Sequence, residues 1–271
     1  VNHHHHCFHC IQRAQRLAAV AQAILFLGRQ LRRGAPQLGQ QEVRVVAEAA
    51  LPARLRDHGA RPDAFGDQRL RIVGHGSHQS LVGISTKCPA WRWQILDNTI
   101  LGAGTGMYLG QSDGSAPFWD GLIAGNRIID PVGYGLQIKH QVARPTLEEA
   151  PTQTARTVIR GNVIVKSAGG STAEMARPNL LLGHFPLAGA GSEDLYLVHG
   201  NLLYDNPTEA LMQAEGRLRV YNNLLVNPHG SALRLAAHND RPRDVTVFHN
   251  TIVAAGTGIE LAVPQEGDVH V

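Results

Sequence analysis

Four short stretches in the second half of the chain gather residue types that move protons or hold anions. They read Lys139-His140-Gln141, Gly183-His184-Phe185, Ala214-Glu215-Gly216 and His238-Asn239-Asp240, and nearby loops add Arg144, Arg177, Arg241 and Arg243. Imidazole gains and loses a proton near neutral pH. Carboxylates serve beside it as acids and bases. The guanidinium fork grips carboxylates with two parallel hydrogen bonds. Cations outnumber acids in this set, which suits an acidic polymer such as a uronate chain. The same residues also have an architectural use. Loop arginines clamp neighbouring loops through bidentate pairs, as Arg177-Pro-Asn and Arg241-Pro-Arg are placed to do, and histidines on adjacent strands can bond one another.

Other chemical signals are weaker. His3–His6, Cys7, His9 and Cys10 resemble metal ligands, and Cys7-x-x-Cys10 has zinc-like spacing. A closed zinc site needs four oriented ligands, and no second pair follows. The tract reads as a chain terminus with adventitious metal affinity. Gly102-Ala-Gly-Thr-Gly and Gly256-Thr-Gly lack the following helix that a phosphate loop requires. No serine lies in a nucleophile-elbow pattern.

The elements that would position the four stretches are marked by six asparagines: Asn98, Asn126, Asn162, Asn201, Asn223 and Asn250. Each is followed by an apolar run, as in Asn126-Arg-Ile-Ile, Asn162-Val-Ile-Val and Asn223-Leu-Leu-Val. Most are preceded by an alternating strand such as Leu195-Tyr-Leu-Val or Val245-Thr-Val-Phe. The gaps are 28, 36, 39, 22 and 27 residues, a range that marks a repeat architecture. The shortest gap holds about three short strands and three bends. Asn suits the first bend because it tolerates left-handed backbone. A third strand recurs as Gly106-Met-Tyr-Leu, Gly135-Leu-Gln-Ile, Asn179-Leu-Leu-Leu, Ala210-Leu-Met-Gln, Ala232-Leu-Arg-Leu and Gly258-Ile-Glu-Leu. Its alternation predicts one buried and one open face.

Equivalent strands must then lie side by side and parallel, because each unit buries its apolar face only against its neighbours. Stacked Asn side chains can bond along the axis as a ladder. The expected fold is all-β, a right-handed parallel β-helix solenoid of about six coils. From each Asn to the third strand the distance is 9 or 10 residues, except from Asn162 to Leu180. From third strand to next Asn it varies: 19 from Met107, 26 from Leu136 and 12 from Leu211. Long loops therefore collect beside the third strand, where solenoids often bind. With coils about 4.8 Å apart, Lys139, His140, His184, Glu215, His238 and Asp240 would span roughly 15 to 20 Å of one groove.

From Trp93 to Val271 this pattern resembles the β-helix repeat proteins of the pectate-lyase-like superfamily. The resemblance implies an extracellular or periplasmic protein that cleaves acidic, uronate-containing glycans by β-elimination. On that implication Lys139 or His184 is the base, Arg177, Arg241 or Arg243 neutralises the substrate carboxylate, and His238 or His140 protonates the departing oxygen. His140, Arg144, Glu215, Asp240, Arg241 and Arg243 would line the polysaccharide. The residues point to no particular cofactor. Ca2+ is the one ion left open, with Glu215 and Asp240 as ligands, although the chain lacks a tight acidic cluster. Glu215 and Asp240 would alternatively serve a glycoside hydrolase as acid and base. A different class of function is a non-catalytic carbohydrate-binding or structural module, for which Phe118, Trp119, Tyr134 and Phe185 would be exposed stacking rings.

Composition divides the chain near residue 90. Residues 1–90 carry 12 basic and 5 acidic residues, whereas residues 91–271 carry 13 and 17. All five Tyr, all three Trp and every Asn but Asn2 fall in the second part, and all three Cys fall in the first. Residues 1–90 are therefore expected to be a helical cap, irregular, or foreign to the repeat. Leu17, Val20, Ile24 and Leu27 have helical spacing within residues 11–33. A signal peptide fits this segment poorly, because Arg32 and Arg33 follow at once. Asp268-Val-His-Val opens another unit, so further coils are expected. The acidic repeat region disfavours nucleic acid. No run of 18 apolar residues supports a membrane span.

Overall fold

The computed structural model describes residues 44–46, 69–147, 150–167, 173–262 and 269–271. The expected helix at 11–33 and the His/Cys tract at 3–10 lie outside them. All strands belong to one unit, Glu42–Val271. Among the described residues there is no α-helix, only a 3-10 turn at Ala173–Met175.

The chain visits three sheets in fixed rotation. The first strands of successive units (Gln94–Leu96, Leu122–Ala124, Arg156–Arg160, Leu195–His199, Leu218–Tyr221, Val245–Phe248 and Val269–His270) form one sheet. The second strands, from Arg71–His75 to Thr251–Ala254, form another. The third strands, from Val82–Thr86 to Ile259–Ala262, form the last. Neighbours within these sheets are parallel, apart from Arg44–Val46, which runs antiparallel to Arg71–His75. One pass through the three sheets is a coil, and the arrangement is compatible with a parallel β-helix. Parallel pairing demands long crossovers, and here each crossover is supplied by the other two strands of the coil.

Like residues stack on like. Ile72, Ile100, Ile128, Ile164, Leu203, Leu225 and Ile252 are in register down the second sheet, and all but Ile252 are fully buried. Met107, Leu136, Leu180, Met212 and Leu233 do the same in the third. The sequence pattern had placed Leu211 in that column. The true register is one residue later, which aims Met212 and Ala214 inward and Gln213 outward. A slip of one residue would exchange these faces and put Gln213 in the core.

The six asparagines line up in file, and the reason differs from the expected one. None has positive φ. The residue before each does: Asp97, Gly125, Gly161, Gly200, Asn222 and His249, with φ between 52° and 69°. That preceding residue makes the left-handed bend, and glycine does so at three of the six positions without a Cβ clash. The marker Asn is instead turned inward. Its backbone N–H and its Nδ2 both donate to the Oδ1 of the next Asn, at 3.0 and 2.9 Å from Asn98 through to Asn250. Nδ2 also donates to a strand carbonyl, as from Asn162 to Ile123 O at 2.9 Å. Amide is the side chain that both donates and accepts, so it can occupy every rung.

Coils begin further toward the N-terminus than the repeat count reached. Arg71–His75 pairs with Thr99–Ala103, and Val82–Thr86 with Thr105–Leu109. Leu70 occupies the rung position there, and its N–H donates to Asn98 Oδ1 at 2.8 Å. At the other end, Val269–His270 pairs with Val245–Thr246 as an opening strand.

Candidate functional site

The third strands end where the long loops begin, as the spacing predicted. In register, the residue just past each strand is Lys87, Gly110, Lys139, Gly183 and Glu215 in five successive coils, and the next position brings His140 beside His184. Their rings stack with centroids 5.5 Å apart and planes 18° apart. Gly183 is required at this point: a Cβ there would sit 2.2 Å from the His140 backbone nitrogen.

The two imidazoles are held differently. Nδ1–H of His184 donates to the Phe185 carbonyl at 2.8 Å. A carbonyl only accepts, so this bond leaves Nε2 of the neutral ring with its lone pair. Burial pushes the His140 pKa down, the Lys139 ammonium and the His184 ring push it further, and Glu215 opposes them. Their balance favours the neutral ring of His140 over the charged one. Asp113, on the loop before, is held low by Ser115, whose hydroxyl and backbone N–H both donate to Oδ1.

Several expected site residues are occupied with bracing. Glu215 is buried, and its Oε2 accepts from the backbone N–H groups of His238, Asn239 and Asp240 at 3.0, 2.7 and 3.1 Å. It therefore folds the His238–Asp240 loop over itself instead of facing a ligand. Asp240 Oδ1 accepts from the Arg241 N–H. Arg144 is buried against Asp194, with Nη1 3.0 Å from Oδ2 and Nη2 donating to Oδ1 at 3.1 Å, and its guanidinium lies over Trp119. Arg243 donates to the carbonyls of Phe185 and Pro186 at 3.1 Å. These clamps offset part of the cost of burying their polar groups, although Asp240 Oδ2 is buried with no hydrogen-bond partner. His238 and Arg241 are exposed on the outer loop.

Arg177 is not part of this edge. It precedes Leu180–Leu182, so it lies at the leading end of the third sheet, with its guanidinium 5.7 Å from the Tyr134 ring centre. There it joins Lys166, a fully buried residue whose Nζ donates to the Arg177 carbonyl at 2.6 Å. Burial pushes the Lys166 ammonium down to about 7, with Glu209 opposing the shift. Nothing in the apolar pattern singled out Lys166; its one sign was a lysine ending the run Val163-Ile-Val-Lys.

The expected stacking rings are mostly interior. Phe118, Trp119 and Phe185 are buried, and only Tyr134 is partly exposed. Of the two residues expected as calcium ligands, Glu215 has its Oε2 taken by three backbone amides, and among the described residues no group of three or more His, Cys, Asp or Glu is placed to hold a metal. No helix among the described residues is long and apolar enough to cross a membrane.

Sequence reasoning missed Lys87 and Tyr108. A signal was present: Gly83-Ile-Ser-Thr-Lys87 matches Gly135-Leu-Gln-Ile-Lys139 in length and in its apolar second position. No protein-family model, curated protein or solved structure matches the chain.

Proposed function

We propose that the trailing edge of the third sheet cleaves an acidic, uronate-containing polysaccharide by β-elimination, on a right-handed β-helix of the pectate-lyase-like kind. The observation that carries this reading is the stacked pair His140–His184 beside Lys139, with His184 Nδ1 committed to a carbonyl and Nε2 left basic. In register parallel sheets and the Asn file support the fold assignment.

His184 Nε2 removes the proton from the carbon beside the uronate carboxyl. The released electron pair forms the new carbon–carbon double bond, and the glycosidic carbon–oxygen bond breaks. Lys139 stabilises the negative charge that builds on the carboxylate. Exposed His238, whose loop Glu215 anchors, returns a proton to the departing oxygen. Arg144, Arg177 and Arg243 have no part in this scheme, because bracing or position removes them. Hydrolysis is disfavoured because Glu215 Oε2 is engaged by three backbone amides.

The test is incubation of the chain with polygalacturonate, alginate and chondroitin while following the ultraviolet absorbance of unsaturated uronate. Product that vanishes in His184→Ala supports the reading. No product from any uronate polymer sinks it. The loop clamps favour a second reading, a braced module that binds without cleaving, and binding with no product would select it.

A further inference from the structure

We infer that Lys87, Tyr108 and Lys139 form an anion subsite that lengthens this edge by two coils and recognises a second uronate carboxylate. The inference rests on the reading of the edge as a binding site for acidic glycans, and it concerns residues outside the proposed chemistry except for Lys139.

Three observations carry it. Lys87 and Lys139 hold equivalent positions two strands apart, about 10 Å along the sheet. Gly110 occupies the position between them with φ of 94°, so no side chain of its own separates the two lysines. Both ammoniums converge on one ring from the intervening strand: Lys87 Nζ lies 3.4 Å from the Tyr108 ring centre and Lys139 Nζ 6.0 Å. The ring face attracts cations and holds them in place, and its hydroxyl is fixed to Ser112 Oγ at 2.9 Å.

Arg92, Arg144, Arg217, Arg219 and Arg234 each have a carboxylate partner. Among the described residues neither Lys87 nor Lys139 does. Two like charges brought to one ring repel each other, and a carboxylate on each relieves that repulsion. A chain of linked uronates running along the coils carries carboxylates at repeated intervals. One would meet Lys139 near the histidine pair and a later one would meet Lys87.

The experiment is calorimetric titration of size-graded oligogalacturonates, and of their fully methyl-esterified counterparts, into the full chain carrying His184→Ala to stop turnover. Lys87→Ala should weaken binding of long acidic oligomers roughly tenfold, and Lys87→Glu by more. Lys87→Arg should restore it, and the dependence on salt should fall in Lys87→Ala. Arg160→Ala on the first sheet is the control. Equal affinity in wild type and Lys87→Glu overturns the subsite, as does an equal loss for esterified oligomers, which would assign Lys87 a packing role. Acidic oligomers bound through Lys87 without product from the His184-containing chain would leave the subsite standing and remove the cleavage reading. Product formed at wild-type rate by Lys87→Glu would do the reverse. Absence of binding to every acidic oligomer removes both.

Discussion

Two corners of the same coil follow opposite rules. At the corner before the second sheet, every coil from Asn98 to Asn223 presents the same residue donating the same two hydrogen bonds to the next Asn, and Asn250 receives the last pair. At the corner after the third sheet, five coils present Lys, Gly, Lys, Gly and Glu. The first corner is interior, and an unpaired amide there costs more than a missing bond on the surface. The second mixes exposed Lys87 with buried Gly110, Gly183 and Glu215, and each residue answers to the loop it meets rather than to a shared rung. Repetition on one side supplies the register that lets the other side vary.

The comparison breaks most visibly if the variable corner does no chemistry. His184→Ala should lower elimination roughly 10²- to 10⁴-fold, the usual worth of a positioned base, with the unfolding midpoint in urea little changed. Wild-type turnover in this variant would reduce the corner to bracing.

The invariant corner should respond in the opposite way. Asn162→Ala removes a rung that both donates and accepts, and should cost about 3 kcal/mol in urea unfolding. Asn250, at the last rung, accepts from Asn223 but has no described Asn beyond it, so Asn250→Ala should cost about 1 kcal/mol. Equal losses would mean that the file acts as independent bonds.

Lys166 sharpens the contrast from a third position. Its ammonium ordinarily titrates near 10.5, and burial brings it to about 7 in the folded chain. Between those values the unfolded chain binds more protons, so stability should rise with pH from about 7 toward 10.5. Below 7 both states are charged and the contribution is flat. The rise is on the order of 5 kcal/mol, and Lys166→Met should abolish it. A slope that survives the substitution would assign it to another group.

The smallest effect tests the electrostatics of the variable corner. By NMR titration, His140 should lose its proton below the ordinary imidazole range, because burial, Lys139 and His184 all disfavour its charge. Lys139→Ala should move that midpoint upward. A downward move would mean that Lys139 is not beside the ring.

The strands were the most legible part. Apolar runs after Asn98, Asn126, Asn162, Asn201, Asn223 and Asn250 became the second sheet in register. The alternating runs before most of them became the first. Leu70 hid the earlier coil, because a backbone N–H can fill a rung without an amide side chain. That same substitution placed Lys87 outside the counted repeat. Leu211 and Met212 were ambiguous because both are apolar and both are buried, so only the alternation through Gln213 and Ala214 settles the face. The site was legible as a list and illegible as a partition. Glu215, Arg144 and Arg243 share residue type with ligand-binding groups, and only contact with loop amides, Asp194 and the Phe185 and Pro186 carbonyls assigns them to bracing.

Periodicity alone determined that this chain stacks its asparagines and its aliphatic columns, because a repeat that recurs at one position along the chain can satisfy amide and apolar groups only by lying against its own copies. Which charged residues remain unengaged at the trailing edge was decided by the tertiary structure. That outcome depends on loops of unequal length folding back on one another, and their contacts have no period for a sequence to display.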